Sequence, residues 1–343
     1  MKFLPALPLP LHLPALPRLA SLALAFVCAL AVTSPAARGQ NGRMSTAQPP
    51  IVIAHRGASG YRPEHTLEAY SLAIEMGADF IEPDLVATRD GHLVARHEPN
   101  ITLTTDVAQR PEFAARRTTK TIDGQQETGW FTTDFTLAEL RTLRAVQPRE
   151  YRSKQYDGQF GVPTLEEIIG LAQRESRARG RTIGIYPETK HPAWHRAEGL
   201  ALEPPLLEAL ERAGWNRRES PVYVQSFEAG NLQWLRTRTP LRLVQLLPAD
   251  AVVDFAAIAA YADAVGPDKQ LVAGTRFIEL AHAAGLAVHA WTFRNEPLHL
   301  AERYAGDPKA EYAEYFALGI DGVFSDFADT AVAARAEFSA AGK

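Results

Sequence analysis

Short apolar runs recur along the chain near Ile51 to Ala54, Phe80 to Leu85, Ile183 to Tyr186, Val222 to Gln225, Arg242 to Leu246, Ala262 to Val265, Ala287 to Ala290 and Gly322 to Phe324. Each has the length of a buried strand. Between them, apolar positions fall at helical spacing, as over Thr66 to Met76, Leu165 to Ala178, Glu198 to Ala213 and Arg276 to Ala284. Strands that alternate with helices predict a parallel sheet, and eight such units predict an α/β fold of the TIM (β/α)8 barrel type. A ninth apolar run, His92 to His97, follows the second strand after only Arg89-Asp90-Gly91. So short a link cannot make a parallel crossover. The run is therefore the return arm of a hairpin, folding His97 back towards the barrel mouth.

Polar chemistry is concentrated where these strands end, which is where barrels of this kind build their active sites. Ile53-Ala54-His55-Arg56-Gly57 closes the first strand, and Ile81-Glu82-Pro83-Asp84-Leu85 lies in the second. Glu82 and Asp84 are two residues apart, so they share a face roughly 7 Å apart at about 3.3 Å per residue. Two carboxylates aimed into a barrel mouth repel unless a cation neutralises them. An all-oxygen set suits a hard ion, Ca²⁺ or Mg²⁺. Taken alone, such a pair is equally an exposed strand face. A third acid alters that balance: Ile183-Gly184-Ile185-Tyr186-Pro187-Glu188-Thr189-Lys190 ends another apolar run. Glu188 would complete a three-carboxylate site with Lys190, on the same face, placed to hold an anion, although in isolation the two read equally well as a solvated pair after a strand.

The ordered motifs resemble the glycerophosphodiester phosphodiesterase family, most closely its periplasmic or secreted branch. They run through H-R-G-A-S-G-Y-R-P-E-H-T from His55, E-P-D-L-V-A-T-R-D-G from Glu82, R-H-E at Arg96 to Glu98, I-Y-P-E-T-K ending at Lys190, Q-S-F at Gln225 to Phe227, H-A-W-T from His289 and F-S-D-F from Phe324. The resemblance implies that His55 and His97 are the catalytic acid/base pair. It also implies that Glu82, Asp84 and Glu188 bind one divalent cation and that Arg56 and Lys190 contact the phosphate. Histidine suits both proton roles because its pKa lies near neutrality. His55 as base and His97 as acid is the assignment preferred here, with the converse open. Gln225, Phe227 and Trp291 are further substrate-binding candidates, the two aromatics as an apolar wall for glycerol. His65 departs from the pattern, where many relatives have Asn, and Pro83 stands between two carboxylates; we expect it at the barrel rim, where a missing donor is tolerated.

The implied activity is metal-dependent hydrolysis of glycerophosphodiesters, such as glycerophosphocholine and glycerophosphoethanolamine, to sn-glycerol 3-phosphate and an alcohol. The rivals are a phospholipase D-like lipid phosphodiesterase of the sphingomyelinase type and a non-catalytic binding protein on the same fold. Intact histidines and acids argue against the second. The resemblance also implies that residues 98–162, charged and Thr-rich, are a small insertion capping the site; at 65 residues the segment between Glu98 and Val162 is too long for an ordinary loop. The barrel is then expected over 51–97 and 163–338.

The first 36 residues hold no Asp or Glu, two cations (Lys2, Arg18) and an apolar stretch of 14 residues, Leu19 to Val32. That is short of the roughly 20 residues of a membrane span and reads as a signal peptide with Ser34-Pro35-Ala36 as cleavage site, followed by a flexible leader over 37–50. Residues Ala37-Arg38-Gly39 offer a second cleavage site. The sole cysteine, Cys28, lies within the signal, so the mature chain is expected to lack disulfides and to be periplasmic or secreted. Loss of Lys2 and Arg18 moves the formal charge from −4 to −6. No basic stripe suggests nucleic acid as a partner, and no later segment is apolar enough for a transmembrane helix.

Overall fold

The computed structural model describes residues 49–342. The expected signal peptide, and all but the last two residues of the leader, lie outside them. Strand β1 (Ile51–His55) is followed by helix α1 (Leu67–Glu75), then β2 (Phe80–Glu82), β3 (Asp84–Ala87) and β4 (Leu93–Ala95). Next come β5 (Thr118–Ile122), β6 (Gln125–Gly129), α2 (Leu137–Leu140) and α3 (Leu165–Arg179). Strands β7 (Gly184–Ile185) and β8 (Glu188–Thr189) precede α4 (Pro192–Ala197) and α5 (Glu203–Arg212). The remainder runs β9 (Tyr223–Ser226), α6 (Ala229–Arg236), β10 (Arg242–Leu247), α7 (Phe255–Ala259), β11 (Ala264–Pro267), α8 (Lys269–Val272), α9 (Phe277–Ala283), β12 (Ala287–Phe293), α10 (Pro308–Ala317), β13 (Gly322–Ser325) and α11 (Ala328–Ala341).

These strands make eight staves. β1 pairs in parallel with both β2 and β13, β2 with β7, β3 with β8, β8 with β9, and pairing continues in parallel through β10, β11 and β12 to β13. The sheet therefore closes as the TIM barrel expected. Two staves are each interrupted by a proline. Pro83 parts β2 from β3, and Pro187 parts β7 from β8; both prolines keep a carbonyl in the wall, accepting from Glu188 N and Gln225 N at 2.9 Å. Pro83 is thus buried within a stave, not at its rim, and the break costs only the donor that proline lacks.

Alternation along the staves explains the layers. Val52, Ala54, Ile81, Val222 and Val224 face the helices in the main core. Ile53, Phe80, Tyr186, Val244 and Phe324 form a separate inner cluster with Tyr223 packed against it. On six of the staves the next residue on the inner side is His55, Glu82, Glu188, Gln225, Leu246 or Asp326. Polar chemistry is the top layer of the barrel filling.

β3 and β4 form the antiparallel hairpin expected for His92 to His97. Residues 98–162 contain the antiparallel pair β5–β6 and short helical turns. Val107, Phe113, Trp130, Phe135 and Leu140 pack there on Val86 and Val94 of the hairpin. Several expected boundaries move: Ala262 to Val265 shifts forward to Ala264–Pro267, Ala287 to Ala290 extends to Phe293, Glu198 to Ala213 begins as a helix only at Glu203, and the final helix passes 338 to reach Ala341. Gly266 and Pro267 have the composition of a turn, yet neighbouring staves hold them extended. Among the described residues no helix is long and apolar enough to cross a membrane.

Candidate active site

Glu82, Asp84 and Glu188 each offer one oxygen, all within 4.8 Å of one another, and all three are buried. Their meeting follows from register: Asp84 pairs with Glu188 across β3 and β8, and Glu188 with Gln225 across β8 and β9. Burial, together with the charges of Asp84 and Glu188, holds the Glu82 carboxyl well above the usual range. Glu188 is pushed up to about 8 by burial and by Asp84, despite Lys190 at 3.0 Å. Asp84 goes the other way: Lys190 and His65 overcome burial and keep it ionised. Gln225 Nε2 donates to Glu82 at 3.0 Å, while its Oε1, buried, has no partner among the described residues. Three crowded carboxylates and an orphaned amide oxygen are a donor set that fits a hard divalent cation.

Arg56 follows β1 in the left-handed region (φ 59), and Gly57 (φ 83) completes the turn. The Arg56 amide donates to Glu82 at 2.8 Å, and its guanidinium meets Glu64 at 3.0 Å and Asp84 at 3.5 Å. Opposing burial, Glu64 and Asp84 raise its pKa further, so it stays cationic. His65, buried and also left-handed (φ 57), donates from Nε2 to Asp84 at 2.8 Å. Its Nδ1 shares a 2.9 Å hydrogen bond with the Tyr70 hydroxyl.

Each expected catalytic histidine is paired with a carboxylate. His55 Nδ1 donates to Asp326 at 2.6 Å, and His97 Nδ1 lies 2.8 Å from Glu98. That leaves Nε2 of His55 free for the pocket, while Nε2 of His97 lies 3.4 Å from Lys190 Nζ. Burial and the nearby Arg56 lower both to about 4, with Lys190 adding to the effect on His97. Asp326 stands just before α11 but does not cap it; the cap position is Phe327, without a side-chain bond.

His55, Arg56, Glu82, His97, Glu188, Lys190, Gln225, Phe227 and Trp291 line one cavity of about 110 Å³. All the expected site residues thus come together, Asp84 directly behind them. Phe227 and Trp291 meet edge to face at 5.8 Å. The cavity also takes in Leu246, Thr292, Arg294 and Phe324, of which Arg294 went unforeseen. A larger cavity of about 350 Å³ shares Arg56 and His97 and is otherwise lined largely by residues 98–149.

Fold and site define a barrel hydrolase of the phosphodiesterase class, and comparison with known proteins makes that specific. Residues 55–330 match the Glycerophosphoryl diester phosphodiesterase family. The chain is 35% identical over 317 residues to a glycerophosphodiester phosphodiesterase of Arabidopsis thaliana, covering 81% of this chain and 84% of that protein. With the corresponding enzyme of Haemophilus influenzae it is 30% identical over 334 residues, 82% and 88% of the two chains. A putative glycerophosphoryl diester phosphodiesterase of Silicibacter pomeroyi superposes with a TM-score of 0.64 at 21% identity, over 85% of this chain and 95% of that one. A phosphodiesterase of Oleispira antarctica, solved with the product sn-glycerol-3-phosphate, does so at 0.62 and 22%, over 83% and 96%. At such identities the structures establish the shared fold. The chain belongs to the glycerophosphoryl diester phosphodiesterase family.

Proposed function

We propose that this enzyme hydrolyses small glycerophosphodiesters, such as glycerophosphocholine and glycerophosphoethanolamine, to sn-glycerol 3-phosphate and an alcohol, with one divalent cation, Ca²⁺ or Mg²⁺. The observation that carries this reading is a pair of imidazole–carboxylate dyads, His55–Asp326 and His97–Glu98, lining one cavity with the acid cluster. The phosphodiester anion is met by Arg56 and Lys190. A cation held by Glu82, Asp84 and Glu188 supplies Lewis-acid polarisation of the phosphoryl oxygens when bound.

His55, neutral with Nε2 free, takes the proton of the attacking oxygen as its bond to phosphorus forms. His97 gives a proton to the departing alkoxide as the other P–O bond breaks. Burial, with the charges of Arg56 and Lys190, keeps His97 neutral, and the anionic substrate counters those two charges, so its protonation accompanies binding. The attacking oxygen is water, or else the neighbouring glycerol hydroxyl, in which case water opens the resulting cyclic phosphate in a second step where the two histidines exchange roles. Phe227 and Trp291 form the apolar side of the glycerol pocket, and residues 98–162 cap it through the larger cavity. A pocket of about 110 Å³ suits a deacylated head group better than acyl chains. The enzyme acts in the periplasm or outside the cell after cleavage following Ala36 or Gly39, which intact mass of the secreted protein reads directly.

Release of glycerol 3-phosphate from glycerophosphocholine is the test. Chelation with EDTA should abolish it, and Mg²⁺ or Ca²⁺ should restore it. Full turnover in verified metal-free protein, or no glycerol 3-phosphate with either ion, would overturn the reading.

A further inference from the structure

Residues 98–162 do more than border the pocket: they send one side chain to the first dyad and one to the histidine behind the second. Arg152 is only 3% exposed, and all three of its guanidinium nitrogens are engaged. Nη2 donates to Asp326 Oδ2 at 2.6 Å, Nη1 to the Ser59 carbonyl at 3.0 Å and Nε to Glu296 at 2.6 Å. Since Asp326 Oδ1 holds His55 and Arg294 also reaches Oδ2 at 2.9 Å, both oxygens of this buried carboxylate are fixed. A carboxylate so clamped cannot rotate away from the ring it orients.

The second dyad is braced from the β5–β6 turn. Asp123 (φ 47) and Gly124 (φ 81) form that turn in the left-handed conformation that two-residue hairpin loops favour. Asp123 accepts from His191 Nδ1 at 2.6 Å, and His191 Nε2 donates to Glu98 Oε2 at 2.7 Å. Glu98 Oε1 in turn holds His97. His191 sits in left-handed backbone (φ 44), a conformation a non-glycine residue keeps only when its surroundings determine it. Both of its ring nitrogens are spent on carboxylates, so it acts as a fixed cationic wedge behind Glu98.

We propose that the insertion is a positioning element for catalysis: Arg152 positions His55 through Asp326, and Asp123 positions His97 through His191 and Glu98. This rests on the reading of His55 and His97 as the base and acid. A purely structural brace would lower every activity together. A positioning residue should instead reproduce the signature of the histidine it serves.

The leaving group provides that signature. A nitrophenolate departs without a proton and a choline alkoxide does not, so loss of the acid is rescued on a nitrophenyl diester and loss of the base is not. His55→Ala and His97→Ala are measured first on both substrates; if both retain wild-type turnover, the proposed function fails and the inference with it. Given the histidine signatures, Arg152→Met should cut kcat about 10- to 100-fold on both substrates, matching His55→Ala, with KM little changed. Arg152→Lys should recover part of it. Asp123→Gly, which keeps the turn backbone, should cut kcat on glycerophosphocholine and much less on the nitrophenyl diester, matching His97→Ala. Asp123→Asn should recover part. Asp123 is 59% exposed, so this pair reads out even if Arg152→Met does not fold, and Arg152→Lys then serves for the first dyad. If the histidine signatures are exchanged, those of Arg152 and Asp123 must exchange with them. Folded variants with wild-type kcat, or with equal losses on both substrates where the paired histidine shows unequal ones, would overturn the proposal.

Discussion

His65 Nε2 lies 2.8 Å from Oδ2 of Asp84, so a fully buried imidazole aims one carboxylate of the acid cluster. Removing the ring frees that carboxylate and strands the Tyr70 hydroxyl. His65→Ala should raise the Mg²⁺ or Ca²⁺ concentration giving half-maximal activity by about 10- to 100-fold, with turnover at saturating metal largely kept. His65→Asn should lie near wild type, because Asn tolerates the left-handed backbone (φ 57) and its amide can donate to Asp84. A metal titration of activity decides this, and equal shifts for the two variants would remove His65 from the site.

Glu188→Gln separates metal binding from folding. In metal-free protein the amide removes a charge from a crowded cluster, so the melting temperature should stay level or rise. Wild type should then gain on addition of Ca²⁺ or Mg²⁺ and the variant should gain little, since ligand-linked stabilisation follows affinity. Thermal melts with EDTA and with each ion check both halves.

Stability of the metal-free protein should peak near pH 6.5. Glu188, raised to about 8 in the fold, binds a proton there that the unfolded chain has released. Its contribution is present below about pH 4.5 and is lost as pH rises through 8. His55 and His97, lowered to about 4, have the opposite sign: theirs is present above 6.5 and lost as pH falls through 4. Between pH 6.5 and 8 only the carboxylate effect remains of these, so the melting temperature should fall there and added metal should restore most at pH 8. A metal-free melting temperature that climbs steadily to pH 8 would contradict this.

The turn that carries Arg56 has no room to spare. A Cβ on Gly57 would lie 2.7 Å from the backbone carbon of Ala69, and the residue has φ 83. Gly91 has the same φ with open space around it. Gly91→Ala should therefore lose only the backbone part, about 1–2 kcal/mol. Gly57→Ala should lose about 1–3 kcal/mol more from the clash, as judged by urea denaturation.

The staves were legible because alternation and run length survive in a single chain: Ile51, Ile53 and His55 already share a face on paper. The acid cluster was legible for the same reason, each ligand ending or following an apolar run. What joins distant segments was not. Arg152 lies 174 residues from Asp326 and Asp123 lies 68 from His191. Within a charged, Thr-rich stretch both read as solvated residues. His65 stood out as a departure from the family pattern, yet nothing local announced that it would reach Asp84. The wall position of Pro83 was hidden because a missing donor argues equally for a rim or for a broken stave, and only the matching break at Pro187 resolves it.

The barrel closes where its first strand meets its last, Ala54 pairing with Ser325, and one residue beyond each strand's partner stand His55 and Asp326. The dyad therefore joins the first and last strands of the barrel. A ribosome must finish β13 before His55 has anything to lean on. A chain clipped before Asp326 would keep all three acids of the cluster and yet leave the His55 ring without its carboxylate.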